Sequence, residues 1–157
     1  QGVDLVVRHH PHVLQPVEKY ITSDNRITYI FYSLGNFISN QSGLIKINEY
    51  ESISTRDSII LDLHLVRDSD MIKCWFNITP VYTRNIFNKK TNLREIQTVA
   101  IDDEIKYLNQ LYLTSSDFEK KRISREIREL IYKIKMINRV LFLKEKPGNI
   151  NISLETN

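Results

Sequence analysis

The spacing of apolar residues changes once along the chain, near residue 101. Before that point apolar residues alternate with polar ones or form short runs, as in strands; after it they recur every three or four residues, as in helices. Val3-Asp4-Leu5-Val6-Val7 is a nearly continuous apolar run, the pattern of a strand buried on both faces. Ile27–Tyr32 is β-branched and aromatic, with a turn expected at Asp24-Asn25 before it and turn chemistry at Gly35-Asn36 after it. From Ser58 to Val66, Ile59, Leu61, Leu63 and Leu65 alternate with Ile60, Asp62 and His64. Met71–Val81 predicts a second strand, joined to the first through Asp68-Ser69-Asp70 and closed by Pro80. Residues 39–56 and the stretch around Asn85–Asn92 read as polar loops.

From Asp102 onward, Ile101, Ile105, Leu108 and either Leu111 or Tyr112 fall on one helical face. Ser116-Asp117-Phe118-Glu119 has the form of a capping box, which satisfies free amides at a helix start. Ile123, Ile127, Leu130, Ile134, Ile137 and Leu141 then form a narrow apolar seam for packing on a neighbouring element. Pro147-Gly148 is a helix stop. These patterns predict an α/β chain in three parts: strands over 1–100, two amphipathic helices over 101–146 and a flexible tail over 147–157.

Composition narrows the class. Hydrophobic content of 41% with 26% charged residues is that of a globular domain rather than a disordered chain. No apolar run reaches the roughly 18 residues of a membrane span. No basic-then-apolar leader is visible, and the chain starts at Gln1 as if in mid-domain. The single Cys74 excludes an internal disulfide and a Cys-rich metal site; alternating with Ile72 and Phe76, it reads as a small buried hydrophobe. Net charge is +3, yet residues 115–146 hold ten Lys/Arg against five Asp/Glu. That surplus suits an acidic partner or a solvated helix face, and it lacks the interleaved aromatics that nucleic-acid stacking needs.

Candidate chemistry concentrates in His9-His10-Pro11-His12, which holds three of the four histidines. In extended backbone, His10 and His12 would point to the same side. Pro11 fixes its own φ and biases His10 toward extension, which limits the entropy lost on ligation. Neutral imidazole ligates zinc, manganese, iron or nickel, and the end of a parallel strand is where α/β folds place their sites. Two histidines are half a site, since zinc takes three or four ligands. The residues alone leave a metal-free histidine turn as an open alternative. His9 reads as an exposed loop residue, or else as a contact behind the ligands or to substrate. Ser33 reads as a turn cap, Asn36 as a turn residue or a cleft contact, and His64 as a partly exposed sheet position.

Two stretches then carry a family resemblance. Val3-Asp4-Leu5-Val6-Val7-Arg8-His9-His10-Pro11-His12-Val13-Leu14-Gln15-Pro16 resembles the signature strand and loop of the bacterial CapA (PGA_cap) capsule, or poly-γ-glutamate, synthesis family. Tyr32-Ser33-Leu34-Gly35-Asn36-Phe37-Ile38 resembles its second signature, and Thr79-Pro80-Val81-Tyr82 its ending, so the likeness covers roughly the first half of the chain. The resemblance implies the C-terminal portion of a calcineurin-like metallophosphoesterase α/β sandwich, followed here by an α-helical extension. It implies His10 and His12 as metal ligands and His9 and Asn36 as contacts behind the ligands or to substrate. The implied cofactor is one or more divalent ions (Mn, Zn or Fe), with the remaining Asp, Asn and His ligands expected upstream of Gln1. Arg8 stands close to where the family usually has a small residue, often Gly, and an added cation disfavours bound metal.

The function implied is biosynthesis or export of a capsular polysaccharide or poly-γ-glutamate. Alternatives are a metal-dependent phosphoesterase when complete, or a non-catalytic scaffold. Implied partners are an anionic capsular polymer or other capsule-synthesis proteins, not nucleic acid, at the cell envelope or cell surface, with the cytoplasm as the alternative and membrane attachment only through an N-terminal segment.

Overall fold

β3 (Ile27–Phe31) organises the N-terminal sheet, because Tyr29 and Phe31 are two residues apart and share one buried face. Both rings meet Phe76 edge-on, at centroid distances of 5.5 and 5.3 Å. β1 (Leu5–Val7) pairs parallel to β3 on one side and β2 (Val17–Ile21) pairs antiparallel on the other. The structure is a computed structural model describing residues 2–39, 41–49, 51–68, 71–143 and 152–155, of which 68, 71–73 and 152–155 are described by backbone only. β2 was not evident from the sequence, since Glu18 and Lys19 interrupt its apolar pattern. The turn at Asp24-Asn25 forms as expected, with Asn25 at φ 60° and the Thr22 N–H donating to the Arg26 carbonyl at 2.9 Å.

β1 departs from expectation. It is the edge strand of its sheet, with Leu5 and Val6 half-buried and Val7 41% exposed. Burial on both faces requires layers above and below a strand, and the exposure of Val7 shows that one face of β1 is incompletely covered by the described residues.

The expected polar loop over 39–56 contains a short hairpin, β4 (Leu44–Lys46) and β5 (Ser52–Ser54). Its strands are three residues long and only Ile53 is buried in the core, too little to show a period of two. β6 (Asp57–Asp68) and β7 (Met71–Asn88) form the expected hairpin, but β7 does not stop at Pro80. Pro80 stands opposite Ile59, whose N–H is directed away from β7 to the Leu34 carbonyl at 3.0 Å. The pair is thus a non-hydrogen-bonded one, and the missing Pro80 N–H falls on the far side of β7. There the neighbouring ladder, to β8 (Leu93–Ala100), begins only at Val81.

The second expected loop is also strand. β7 continues to Asn88, turns over Lys89–Asn92 and returns as β8. The Asn88 side-chain carbonyl accepts the Lys90 and Thr91 amides, and Asn92 takes φ 55°. Its apolar residues Ile86, Phe87 and Leu93 are 43%, 48% and 65% exposed, so this hairpin lacks the buried stripe that betrays a strand. β9 (Ile152–Glu155) pairs antiparallel to β7 within the segment expected as a flexible tail; the rest of that segment lies outside the described residues.

The helical layer follows its pattern closely. α1 (Ile101–Thr114) buries Ile101 and Leu108, and α2 (Asp117–Leu141) starts on the capping box of Ser116 and Glu119. Ile123, Leu130, Ile137 and Leu141 are buried, with Ile127 and Ile134 packed beside them. α2 ends at Leu141, where the Phe142 N–H donates to the Asn138 carbonyl; Pro147 lies outside the described residues. α1 rests on β7 and β8, and α2 on β5 and β6.

Ion pairs between a buried carboxylate and a half-buried cation tie the layers together: Lys133 Nζ to Asp57 at 2.6 Å, and Arg84 to Glu104 at 2.8 Å. Burial, then the Glu104 carboxylate, pushes the Tyr82 phenol up to about 12, so it packs here as a neutral group. The whole is a mixed α/β chain. Among the described residues no helix is long and apolar enough to cross a membrane.

Candidate functional site

The two signature segments lie side by side immediately beyond the ends of β1 and β3. The Arg8 N–H donates to the Phe31 carbonyl at 3.0 Å, and the Leu34 N–H to the Arg8 carbonyl at 3.3 Å. Further on, the Gln15 N–H donates to the Ser33 carbonyl at 3.1 Å and buried Leu14 bridges Leu34. Residues 9–13 are thereby pinched out as a loop between two fixed points.

That loop is a turn rather than extended chain. The His12 N–H donates to the His9 carbonyl at 3.0 Å, and His12 takes the left-handed φ of 56°. The period-two argument that put His10 and His12 on the same side therefore does not hold. His9, His10 and His12 are all exposed, as is Arg8. Among the described residues, no three His, Cys, Asp or Glu side chains gather closely enough to hold a metal ion.

Asn36 gives the loop its order. It is buried, and its side-chain amide donates to the His12 carbonyl at 2.7 Å, the Thr55 carbonyl at 3.1 Å and Gln41 Oε1 at 3.2 Å. The two backbone carbonyls beside Nδ2 settle which way the amide faces, because an oxygen there would meet only carbonyl oxygens. Oδ1 then points at His12 Nδ1, 3.1 Å away, and as an acceptor it requires a proton on that nitrogen. In neutral His12 the free lone pair is consequently on Nε2, the arrangement by which an outer hydrogen bond orients a metal-ligating imidazole. Replacing Asn36 by Leu should lower stability by about 1–3 kcal/mol, since the buried carbonyl partners lose their donor. Thermal unfolding would measure this, and an unchanged melting temperature would refute the bracing role.

Gly35 positions Asn36. Its φ is +84°, and a Cβ there would sit 2.8 Å from Ser58 Cβ and 3.0 Å from the Asp57 carbonyl oxygen. Ser33, 1% exposed, caps the turn by accepting the Gly35 N–H at 3.2 Å, and the Ile59 N–H donates to the Leu34 carbonyl at 3.0 Å. Nothing in the sequence marks Gln41 and Thr55, since both lie in the polar stretch over 39–56 and Thr55 acts through its backbone carbonyl.

His64 lies apart, in the middle of β6, stacked on Trp75 with ring centroids 5.1 Å apart and 3.0 Å from Asp62 Oδ2. Cys74 is a buried free thiol whose ionisation is pushed up by burial and by Asp4, as suits a small core residue.

A strand-end histidine turn braced by a buried asparagine, in a mixed α/β chain, is the setting of an α/β-type site. Residues 1–41, which contain the whole turn and Asn36, match the family described as bacterial capsule synthesis protein PGA_cap. The chain is 34% identical over 104 residues, 60% of its length, to the PGA biosynthesis protein CapA of Bacillus subtilis (strain 168). It is 39% identical over 64 residues, 41% of its length, to the capsule biosynthesis protein CapA of Bacillus anthracis. It covers 23% of the first relative and 12% of the second. No solved structure matches it. The likeness to the PGA_cap family rests on the N-terminal segment, which carries the histidine turn and Asn36.

Proposed function

We propose that this chain acts in the synthesis or export of a capsular polymer, contributing His12 and His10 to a metallophosphoesterase-like metal site. One observation carries the reading: the Asn36 side-chain carbonyl lies 3.1 Å from Nδ1 of exposed His12, which makes Nε2 the nitrogen with the free lone pair. His10, exposed two residues away in the same turn, is the second donor. A divalent ion (Mn, Zn or Fe) held there would polarise a phosphoryl group and make a bound water acidic. The described residues provide two donors, so further ligands must come from elsewhere in the protein or its partner. Arg8, exposed beside the turn, opposes a bare cation but suits an anionic substrate.

Elemental analysis of the protein at its natural length tests the proposal. Changing both His10 and His12 to Ala should remove the bound metal, while His64→Ala should leave it in place. Equal metal content in all three proteins would make the turn a structural feature only.

A further inference from the structure

We infer that the exposed stripe of α2 is a binding ridge for a flexible polycarboxylate chain. The inference rests on the reading above that the partner is a capsular polymer, and it assigns where that polymer would lie. Lys121, Arg125, Arg128, Lys135 and Arg139 are spaced by four, three, seven and four residues, which returns each to one side of the helix. All five are exposed, and Ile123, Leu130 and Ile137 occupy the buried side. At about 1.5 Å per residue the ridge is roughly 27 Å long.

Among the described residues, the charges are not all consumed by partners. Arg125 pairs with Glu129 at 3.0 Å and Arg139 with Glu51 at 2.6 Å, so both arginines already show how a carboxylate seats on this ridge. Among the described residues, Lys121, Arg128 and Lys135 have no carboxylate within ion-pair distance. Arg128 separates two grooves. One runs past Leu44, Tyr132 and Met136, and the other past Tyr112 and Lys121. The first groove sets an apolar wall beside the row of cations, which suits a chain that carries carboxylates on short methylene arms.

Two other polyanions fit less well. A membrane-surface helix inserts its apolar face into the lipid boundary, but that face of α2 is packed into the core. Single-stranded nucleic acid stacks successive bases on aromatic rings, and within the ridge itself only Tyr132 is available.

Fluorescence anisotropy with labelled polyglutamate decides the matter. The 157-residue chain should bind it at low salt and release it progressively as salt shortens the range of exposed charges. K121E/R128E/K135E should weaken binding by about tenfold or more, equivalent to about 1.4 kcal/mol. K19E/K89E/K90E makes the same change of net charge elsewhere on the exposed surface and should retain most of the affinity. Circular dichroism checks that both variants fold; if the first does not, the Gln-substituted triple K121Q/R128Q/K135Q replaces it. Equal losses in both sets of variants, no binding by the unmodified chain, or tighter binding to single-stranded DNA or phosphatidylglycerol vesicles would overturn the ridge. Those outcomes leave the histidine proposal standing, because metal content is a separate readout.

Discussion

Ile137→Asp should abolish cooperative unfolding of the chain. Ile137 is 0% exposed and packs in one cluster with Ile123, Leu130 and Leu141 of its own helix and with Ile59 and Phe76 of the sheet. Losing the isoleucine alone costs about 2–3 kcal/mol of apolar burial. An unpaired carboxylate must then ionise in that cluster, at a cost of several kcal/mol, or remain protonated and leave a polar group without partners. Together these approach the roughly 5–15 kcal/mol that stabilises a whole domain. Ile131→Asp, on the same helix but 54% exposed, is the control and should change stability by no more than about 0.5 kcal/mol. Calorimetry would compare the two, and a similar sharp transition for both would show that α2 is not held against the sheet.

Gly35→Val is the second large effect, and it joins stability to the site. A residue with a Cβ at φ +84° meets the left-handed penalty of about 1–2 kcal/mol, at its worst for a β-branched side chain. The Cβ would also stand within 3.0 Å of the Asp57 carbonyl, part of β6, which cannot swing aside as a side-chain tip could. Relief requires the 33–36 turn to separate from β6, which breaks the Ile59–Leu34 hydrogen bond and moves Asn36. A loss of more than about 3 kcal/mol is expected. The His12 ring should lose its hydrogen-bonded tautomer at the same time, visible as a change in the imidazole nitrogen shifts by NMR. Gly35→Ala should show the same changes at smaller size. A native His12 spectrum in Gly35→Val would mean that Gly35 does not position Asn36.

Which elements were readable in the sequence follows from how far apart their causes lie. The α2 seam and its capping box are repeated or closed within three or four residues, so local pattern identifies them, and the structure buries Ile123, Leu130, Ile137 and Leu141 and packs Ile127 and Ile134 beside them. β3 and the β6–β7 hairpin were readable for the same reason, being long or rich enough to show their type. β2, β4, β5, β8 and the end of β7 were not, because each is short, charged or exposed and owes its existence to a partner strand. Pro80 misled for a related reason. Whether a proline ends a strand depends on which side its missing N–H faces, a property of the pairing register.

The same division runs through the site. By itself the sequence determined that His9–His12 follows a strand end, that Gly35-Asn36 makes a turn and that the later chain is helical with a surplus of basic residues, since these depend on residue type and near neighbours. Tertiary structure decided that the histidines lie in a turn, that Asn36 holds His12 across 24 positions and that Thr55 and Gln41 hold Asn36. It also decided which cations of α2 remain without a carboxylate partner. Hydrogen-bond direction and charge pairing depend on distance in space, which the chain acquires only once β1 and β3 are paired and the helices rest on the sheet.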